Sequence, residues 1–412
     1  MTMANPQFDS LPPSAPRVMQ LSLRIGAGAL LLCLVGWIFS AEAFFRAYLF
    51  AYLFFLGMTL GSMAWVMVHH LVGGGWGRAI QRIAESAAMN LPLMLILFIP
   101  LFFGLNRLYP WADARIVRLD AIVRHKSAYL NTAAWSVRAL VFFAIWIACT
   151  LQLTADAKSF DATRSAAIAL RMRRVSALGL VIYMATMTLA GIDWIMSREP
   201  HYYSTIFGFI LVVGHALSGM LLLIIVLTLL LSREPLRSFV TLRHYNDLGN
   251  LLLTCVILWA YLAFTQFLLT WTGNIQLEVK WYHLRSRGFY GFLAAALIML
   301  HFFVPFLLLL SKKTKCNPRF LAGLASGLLC LRVIDVYWMV APTGGPVASL
   351  NRLWLNLAAP IGVGGIWLSG FIWQLGRRPL LAIAEEDEAS SHLNSSNEKD
   401  SGPHGELPAH PA

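Results

Sequence analysis

Residues 205–231 read TIFGFILVVGHALSGMLLLIIVLTLLL, a stretch without a single Asp, Glu, Lys or Arg. A helix needs about 20 predominantly apolar residues to cross the hydrocarbon core of a bilayer. This stretch is long enough to do so, and from Leu221 onward it consists almost entirely of Leu, Ile and Val. It therefore predicts a transmembrane helix, with His215 deep inside it.

Nine further apolar runs of similar length predict nine more spans. The chain has 412 residues, of which 58% are hydrophobic and 13% are charged, whereas soluble domains carry about 25% charged residues. None of the runs alternates between apolar and polar residues as a β-barrel strand does. We predict an all-α integral membrane protein with ten spans, near residues 22–39, 46–68, 87–105, 134–153, 175–196, 205–231, 248–270, 289–310, 320–340 and 356–374.

The same pattern divides the chain into three segments. They are an N-terminal cytoplasmic segment (1–20), a ten-helix membrane domain (21–376) and an acidic tail (381–412). With ten spans both termini lie on one side, and that side has 19 flanking Lys and Arg residues against 11 on the other. Because cytoplasmic flanks carry the excess of Lys and Arg, both termini are predicted to be cytoplasmic. The tail has seven acids and one Lys and lacks apolar anchors, so we expect it to be disordered.

Cysteine and histidine spacing predicts that the chain holds no metal-bound cofactor. The five Cys residues are scattered, without a CxxC or CxxCH motif, so we expect no iron–sulfur cluster, c-type haem or structural zinc. His201 and His215 are fourteen residues apart, as in one helix of a dihaem cytochrome b, but no second helix has a matching pair. We therefore expect no b-type haem. The basic flanks suit anionic lipid headgroups rather than nucleic acid.

Ionisable side chains within the predicted spans or beside their ends form the candidate site. Such groups are costly in a bilayer and usually face the interior of a bundle. Arg332 and Asp335 are three residues apart and can pair on one helical face. That pair fits a neutralised structural ion pair as well as it fits a functional one. The candidates are His69, His70, Arg138, Asp193, His201, His215, His301, Arg332 and Asp335.

A polar and aromatic segment separates two of the apolar runs. It reads GIDWIMSREPHYYSTIFGF at residues 191–209. Pro200 is predicted to break the helix after Asp193, and the Trp and Tyr residues are expected to be interfacial anchors. Asp193 needs a partner or water there. A second polar segment, residues 109–131, has the spacing of a short amphipathic helix at the interface.

The motif DWIMSREPHYYSTIFG, residues 193–208, resembles a signature of the ActF-type, NrfD-like (polysulfide-reductase-like) membrane subunit of bacterial alternative complex III. Two more stretches carry the resemblance. They are YPWADARIVRLDAIVRHKSAYLNTAAWSVRALVFF at residues 109–143 and DLGNLLLTCVILWAYLAFTQFLLTWTGN at residues 247–274. The resemblance covers about residues 20–375, and the acidic tail lies outside it.

The resemblance implies a fold, a location and a set of partners. NrfD-like subunits consist of two four-helix bundles with two flanking helices. Alternative complex III lies in the bacterial inner membrane, oxidises quinol and passes electrons to cytochrome c or to a terminal oxidase. Its iron–sulfur subunit, c-type cytochromes and second NrfD-like subunit are separate chains. This chain would then be a cofactor-free subunit of a quinol:cytochrome c oxidoreductase, with quinone or quinol as the ligand left open.

Quinol oxidation releases protons, so the leading hypothesis is that this subunit supports quinol oxidation and conducts protons. The candidate residues would form a discontinuous polar path across the bundles. Asp193, His201, Arg332 and Asp335 are expected towards the non-cytoplasmic side, with His215 and His301 deeper. His69 and His70 are expected near the cytoplasm. One alternative is a structural scaffold that docks the peripheral redox subunits without a proton or quinol site of its own. The other is a stand-alone transporter.

Overall fold

The computed structural model describes residues 11–342 and 353–381, and within these ranges the chain contains no strand. Ten helices in these ranges are long and apolar enough to cross a membrane, which confirms the predicted all-α, ten-span fold. We number them in chain order as α1 (Ala15–Phe39), α2 (Ala41–Val72), α3 (Gly75–Phe103), α4 (Thr132–Thr163), α5 (Ala166–Trp194), α6 (Phe207–Leu230), α7 (Leu242–Gly273), α8 (Gly288–Leu310), α9 (Pro318–Val340) and α10 (Leu353–Leu375). The predicted acidic tail lies outside the described residues, apart from Leu381.

The connecting segments lie at two ends of the bundle. We call one the knot end; it contains residues 104–131, 195–206 and 274–287. The other is the His69 end, which contains residues 73–74, 164–165, 231–241, 311–317 and 376–381. The division of the chain into a cytoplasmic segment, a membrane domain and a tail stays a prediction, and so does the orientation of the two ends.

The helices form two groups around a central pair. Helices α2 to α5 pack on one another, and so do α6 to α9. The two groups meet mainly through α2 and α6, while α1 and α10 pair with each other and lie against α2. Almost every residue of α2 between Phe44 and Met67 is buried, because helices surround this part of it. This packing corresponds to two four-helix bundles with two flanking helices.

Glycines let α2 and α6 approach closely. A Cβ atom on Gly61 would lie 1.8 Å from the carbonyl oxygen of His215, and one on Gly219 would lie 2.6 Å from the carbonyl carbon of Gly61. Small residues of this kind bring the backbones of membrane helices into contact, where dispersion forces act over many atoms. The contact between the two bundles therefore requires glycine at positions 61 and 219, where a Cβ atom would clash with the facing backbone.

Helix α3 begins earlier than the sequence predicts. It consists of two pieces, Gly75–Ala88 and Leu91–Phe103, and the first piece is buried although it contains Arg82 and Glu85. We predicted a span from residue 87 and placed Arg82 in a flanking loop, which is wrong. Arg82 and Glu85 form a buried ion pair with 2.8 Å between Nη1 and Oε2. A hydropathy pattern does not register charges that neutralise each other.

The segment 109–131 is not one amphipathic helix. Its main pieces are two short helices, Ala114–Leu119 and Ala121–His125. Asp113 accepts a hydrogen bond from the backbone N–H of Arg115 at 2.8 Å, and Asp120 accepts one from Ile122 at 2.9 Å. Each aspartate caps a new helix N-terminus, which explains why the predicted single helix divides.

We expect Gly61→Ala to lower the free energy of unfolding by about 2 kcal/mol, because the added methyl group overpacks the contact between α2 and α6. The control is Gly327→Ala, where an added Cβ has nothing within 4 Å. That change is expected to be neutral or slightly stabilising, since Ala favours a helix over Gly. Reversible unfolding of the purified chain in detergent measures both. Equal stability of the two variants would contradict the close contact.

Candidate functional site

Buried polar side chains from five helices meet inside the bundle. We call them the central polar cluster: Tyr183 of α5, His215 and Ser218 of α6, Trp259 of α7, His301 of α8, and Arg332 and Asp335 of α9. His215 lies eight residues after the start of α6, and Arg332 lies eight residues before the end of α9. At 1.5 Å per residue both are about 12 Å from the knot end of their helices.

The ion pair between Arg332 and Asp335 is the core of this cluster. The predicted pairing is present, between Arg332 Nη1 and Asp335 Oδ2, and both side chains are almost fully buried. Trp259 Nε1 donates a second hydrogen bond to the same carboxylate oxygen at 3.2 Å. Arg332 Nε donates to Ser218 Oγ at 3.3 Å. Gly214 makes room for the guanidinium group, since a Cβ there would lie 2.5 Å from Arg332 Nη2.

His215 lies next to this pair and contacts two further helices. Its Nδ1 atom is 3.1 Å from the hydroxyl oxygen of Tyr183. On α2, a Cβ atom at Gly57 would lie 2.8 Å from the imidazole ring, so only glycine leaves space for it. Tyr183, Ser218 and Trp259 were missed by sequence reasoning. A hydroxyl or aromatic side chain in a span is ordinary, and nothing in the sequence places it beside a charge.

His301 differs from the other members because its ring nitrogens are unpaired. The side chain is fully buried, and neither Nδ1 nor Nε2 has a hydrogen-bond partner among the described residues. Its ring packs edge-on against Trp259, with 4.3 Å between the ring centres. It also lies in the π-helical segment Leu297–Phe303 of α8. Such segments are rare and are frequent at functional sites, and an unpaired buried polar group needs an explanation.

Asp193 has a partner, which the sequence left open. Arg138 of α4 donates from Nε to Oδ2 at 2.7 Å and from Nη2 to Oδ1 at 3.0 Å. Its guanidinium group also lies 3.8 Å from the ring centre of Tyr129 and donates to the Tyr129 carbonyl oxygen at 2.9 Å. Both carboxylate oxygens of Asp193 are thus engaged. Asp193 and Arg138 form a closed ion pair that joins the end of α5 to α4.

The end of α5 is capped by side chains. The helix ends at Trp194, which confirms a break just after Asp193. The Asp193 carbonyl oxygen accepts hydrogen bonds from Trp135 Nε1 at 3.1 Å and from Ser197 Oγ at 2.6 Å. The hydroxyl group of Tyr109 donates to the carbonyl oxygen of Trp194 at 3.0 Å. These bonds satisfy carbonyl groups that the broken helix leaves without partners.

The aromatic residues of this segment are mostly not interfacial anchors. Trp194 and Tyr202 are buried, and only Tyr203 is well exposed. The ring of Tyr202 stacks on Trp281 of the short helix Gln276–Arg285, with 5.0 Å between the ring centres. Our expectation of an interfacial role is therefore wrong for Trp194 and Tyr202. Rings of α3 and α4 cover Trp194, and the short helix Gln276–Arg285 covers Tyr202.

His201 pairs with Asp120 and lies apart from the central polar cluster. His201 Nε2 is 2.9 Å from Asp120 Oδ2. Desolvation alone would raise the pKa of the Asp120 carboxyl group. The backbone N–H of Val123 and the nearby His201 have a larger combined effect in the opposite direction, so the pKa lies below its ordinary value. Lys126 donates to the carbonyl oxygen of Pro200. These contacts hold residues 120–126 against the segment that follows α5.

Two buried arginines hold the end of α9. Arg285 Nη2 donates to the Met339 carbonyl oxygen at 2.8 Å, and Arg198 Nη1 donates to that of Val340. Cations at a helix C-terminus are stabilising because the last carbonyl groups are partially negative. Burial lowers the pKa of Arg285 to about 10, against the opposing effect of Glu199, which lies 3.3 Å away. The knot end thus anchors the helix that carries the central ion pair.

A pocket of about 350 Å³ opens at the knot end. Residues 109–110 and residues 198–202, which belong to two of the three sequence motifs, line it together. In the sequence, almost ninety positions separate residues 109–110 from residues 198–202, and only the fold brings them to one site. Arg46, Arg107, Arg198 and Lys280 contribute positive charge to the lining, and Glu42, Asp113 and Glu199 contribute negative charge.

His69 and His70 lie at the opposite end of the bundle. His70 Nδ1 is 3.0 Å from Ser176 Oγ, and His69 packs edge-on against Trp76. Both side chains are half-buried.

The structure therefore divides the nine candidates into four groups: Arg138 with Asp193; His201; His215, His301, Arg332 and Asp335; and His69 with His70.

A further buried ion network near the His69 end was missed by sequence reasoning. Glu85 accepts hydrogen bonds from Arg82 and from Arg378, each at 2.8 Å, and Arg82 also pairs with Asp161. It joins α3 to the end of α4 and to the chain that follows α10. The only sequence signal was the spacing of Arg82 and Glu85, three residues apart on one face.

Within residues 11–342 and 353–381, no group of three or more His, Cys, Asp or Glu side chains could hold a metal ion. The prediction that the chain lacks metal cofactors stays a prediction. No protein-family model matches the chain. No curated protein matches it either. The resemblance to NrfD-like subunits therefore rests on the three sequence motifs alone.

We expect Asp193→Asn to lower the free energy of unfolding by about 3 kcal/mol, at the lower end for a broken buried ion pair because Arg138 is partly exposed. Arg138→Gln removes the other partner. If the two form one closed pair, the double variant is destabilised by much less than the sum of the single variants. Unfolding of the three purified variants in detergent measures this coupling. Additive effects would contradict the pairing.

Proposed function

We propose that this chain is the ActF-type, NrfD-like membrane subunit of a bacterial alternative complex III. In that complex it supports quinol oxidation and conducts protons through the central polar cluster. The three motifs support the assignment to the complex, and residues 109–110 and 198–202 of two of them line one pocket. Electrons pass to cytochrome c or an oxidase through the iron–sulfur and cytochrome subunits.

The observation that carries the proton role is the unpaired imidazole of His301. A neutral imidazole accepts a proton at one nitrogen and donates from the other. Both nitrogens of His301 are free of fixed hydrogen bonds among the described residues. The side chain can therefore exchange a proton without breaking a structural contact. An imidazole held in two hydrogen bonds would have to break one of them.

The neighbours of His301 set the electrostatics of such a step. Trp259 contacts the imidazole and donates its N–H to Asp335, so one indole ring links His301 to the carboxylate. A proton arriving at His301 adds positive charge, which Asp335 favours and Arg332 opposes, because these two groups form an ion pair beside the same site. His215 with Tyr183 provides a second site of exchange next to Arg332.

The remaining candidates fit supporting roles in this proposal. Asp193 with Arg138 and His201 with Asp120 are closed pairs that hold loops at the knot end. His69 and His70 lie at the His69 end of the bundle, where the proposed proton path would open. Along α6 the residues from Met220 to Leu227 are apolar, so the path between the cluster and that opening is discontinuous. A bacterial inner-membrane location with both termini in the cytoplasm is part of the proposal.

We expect Asp335→Asn to lower quinol oxidation by the assembled complex at least about tenfold, because the loss of the carboxylate removes the charge that stabilises a proton on the cluster. Asp193→Asn should retain normal turnover per assembled complex, although it is less stable. Quinol oxidation and proton release measure the effect, and the haem content of the purified complex controls for assembly. Normal turnover of Asp335→Asn would contradict a role of the cluster.

The alternative function is a structural scaffold for the peripheral redox subunits. It is favoured by the pocket at the knot end and by the many contacts that fasten the loops there. In this role the central polar cluster would only stabilise the bundle. The two functions predict different consequences of replacing His301. Proton transfer needs the imidazole, whereas a scaffold would gain stability from its loss, because an unpaired buried imidazole is destabilising.

We expect His301→Phe to raise the free energy of unfolding by about 1–3 kcal/mol, since two unpaired polar atoms are removed, and to abolish most of the turnover. The control is His283→Phe at an exposed position of the helix Gln276–Arg285. That variant should change neither quantity. Thermal unfolding and quinol oxidation of the assembled complex measure the two effects. A stabilised complex with normal turnover would support the scaffold and contradict proton transfer.

A further inference from the structure

A basic pocket lies at the His69 end, between the start of α7 and the turn that precedes α9. Its volume is about 440 Å³, within the range of pockets that hold small ligands. The lining residues are Leu242, Arg243, Asn246, Asp247, Lys312 and Cys316. None of them takes part in the central polar cluster, so the proposed function leaves this pocket without a role.

The wall of this pocket is fixed by a buried lysine. Lys315 belongs to the short helix Lys312–Lys315, is 8% exposed and donates from Nζ to Asn250 Oδ1 on α7 at 2.7 Å. Its stem packs on Gly249, where a Cβ atom would lie 2.6 Å from Lys315 Cγ. These contacts hold the short helix against α7, so Arg243 and Lys312 face the same pocket.

The net charge at this site is positive. Arg243 and Lys312 line the pocket, and Lys313 and Arg319 are exposed within a few residues of it. Asp247 is the one acidic side chain in the lining. Lys315 is already engaged by the neutral amide of Asn250. The pocket therefore favours an anion.

Exposed apolar side chains surround the same cations. Leu242 is 58% exposed, Leu310 57% and Phe320 46%, and each is within two residues of Arg243, Lys312 or Arg319. In a chain that spans a membrane such side chains face acyl chains. A ligand that uses both features has an anionic head and an apolar body. An acidic peptide, such as the run from Glu385 to Glu388 of this chain, would use the cations but not the apolar surface.

We propose that this pocket binds the phosphate-bearing headgroup of an anionic phospholipid, with Arg243 and Lys312 as its main contacts. The acyl chains lie along Leu310 and Phe320. Basic pockets between membrane helices bind headgroups in this way, and the attraction is strongest where cations converge at the bilayer surface. Bound lipid then fills the gap between α7 and the turn before α9.

Cys316 provides a built-in reporter because it lines the pocket and is half-buried. The full chain is placed in nanodiscs of phosphatidylcholine alone or of phosphatidylcholine with phosphatidylglycerol. Alkylation of Cys316 by iodoacetamide, a neutral reagent, is followed by peptide mass spectrometry. We expect phosphatidylglycerol to slow this alkylation several-fold in the wild-type chain. The double variant Arg243→Gln, Lys312→Gln should lose the protection.

The matched control is Arg173→Gln, Arg174→Gln, which removes two exposed cations of α5 outside the pocket. It should keep the protection. Loss in both double variants, or in neither, would overturn the site, because the effect would then come from surface charge in general. The exchange Arg243→Lys, Lys312→Arg preserves both charges and should remain protected, which separates lost binding from misfolding. Loss of protection in this exchange variant would overturn the charge-based site.

Two further arms test the other occupants. Inorganic phosphate added to phosphatidylcholine nanodiscs should leave alkylation unchanged, and equal protection by phosphate alone would overturn the lipid assignment. Replacing the acids at 385–388 with Gln or Asn should also change nothing in phosphatidylcholine. A several-fold faster alkylation of that variant would mean that the acidic run covers the pocket, and it would overturn the proposal.

Discussion

A charge inside a bilayer has no water to stabilise it and must find an opposite charge or a hydrogen bond within the protein. Among the described residues, this constraint arranges most of the buried Asp, Glu, Lys and Arg side chains. Arg332 pairs with Asp335, Arg138 with Asp193, Arg82 with Glu85 and Asp161, and Arg285 with Glu199. The pairs join different helices or loops in three of the four cases. They therefore stabilise the packing at the same time as they neutralise charge.

His301 stands out against this background. Every carboxylate and guanidinium group just named has a partner, yet this fully buried imidazole has none among the described residues. It lies beside the ion pair of α9, whose end is in turn held by Arg198 and Arg285 from the knot end. The unpaired imidazole lowers stability, while the groups around it are held by hydrogen bonds and ion pairs. This combination is typical of a functional site, where local stability is lost in favour of function.

The two ends of the bundle have different chemistry. At the knot end, aromatic rings and capped helix ends form a compact cover whose pocket combines both signs of charge. At the His69 end, exposed cations surround a pocket with a single acid in its lining and exposed apolar residues beside it. The scaffold alternative would use the first surface, and the proposed lipid site lies on the second.

The ten spans follow from the sequence alone, because each apolar run is long enough to cross a bilayer and contains few charges. The sequence also indicated that Arg332 and Asp335 can pair, because helical spacing places them on one face. It did not reveal that Arg82 and Glu85 lie within a buried helix, because a hydropathy scale counts both as charged residues although they form an ion pair. Tertiary packing made Arg138 the partner of Asp193 and brought His215 and His301 to the Arg332–Asp335 pair. Those contacts connect residues tens to more than a hundred positions apart, and helix packing, which no local pattern encodes, sets them.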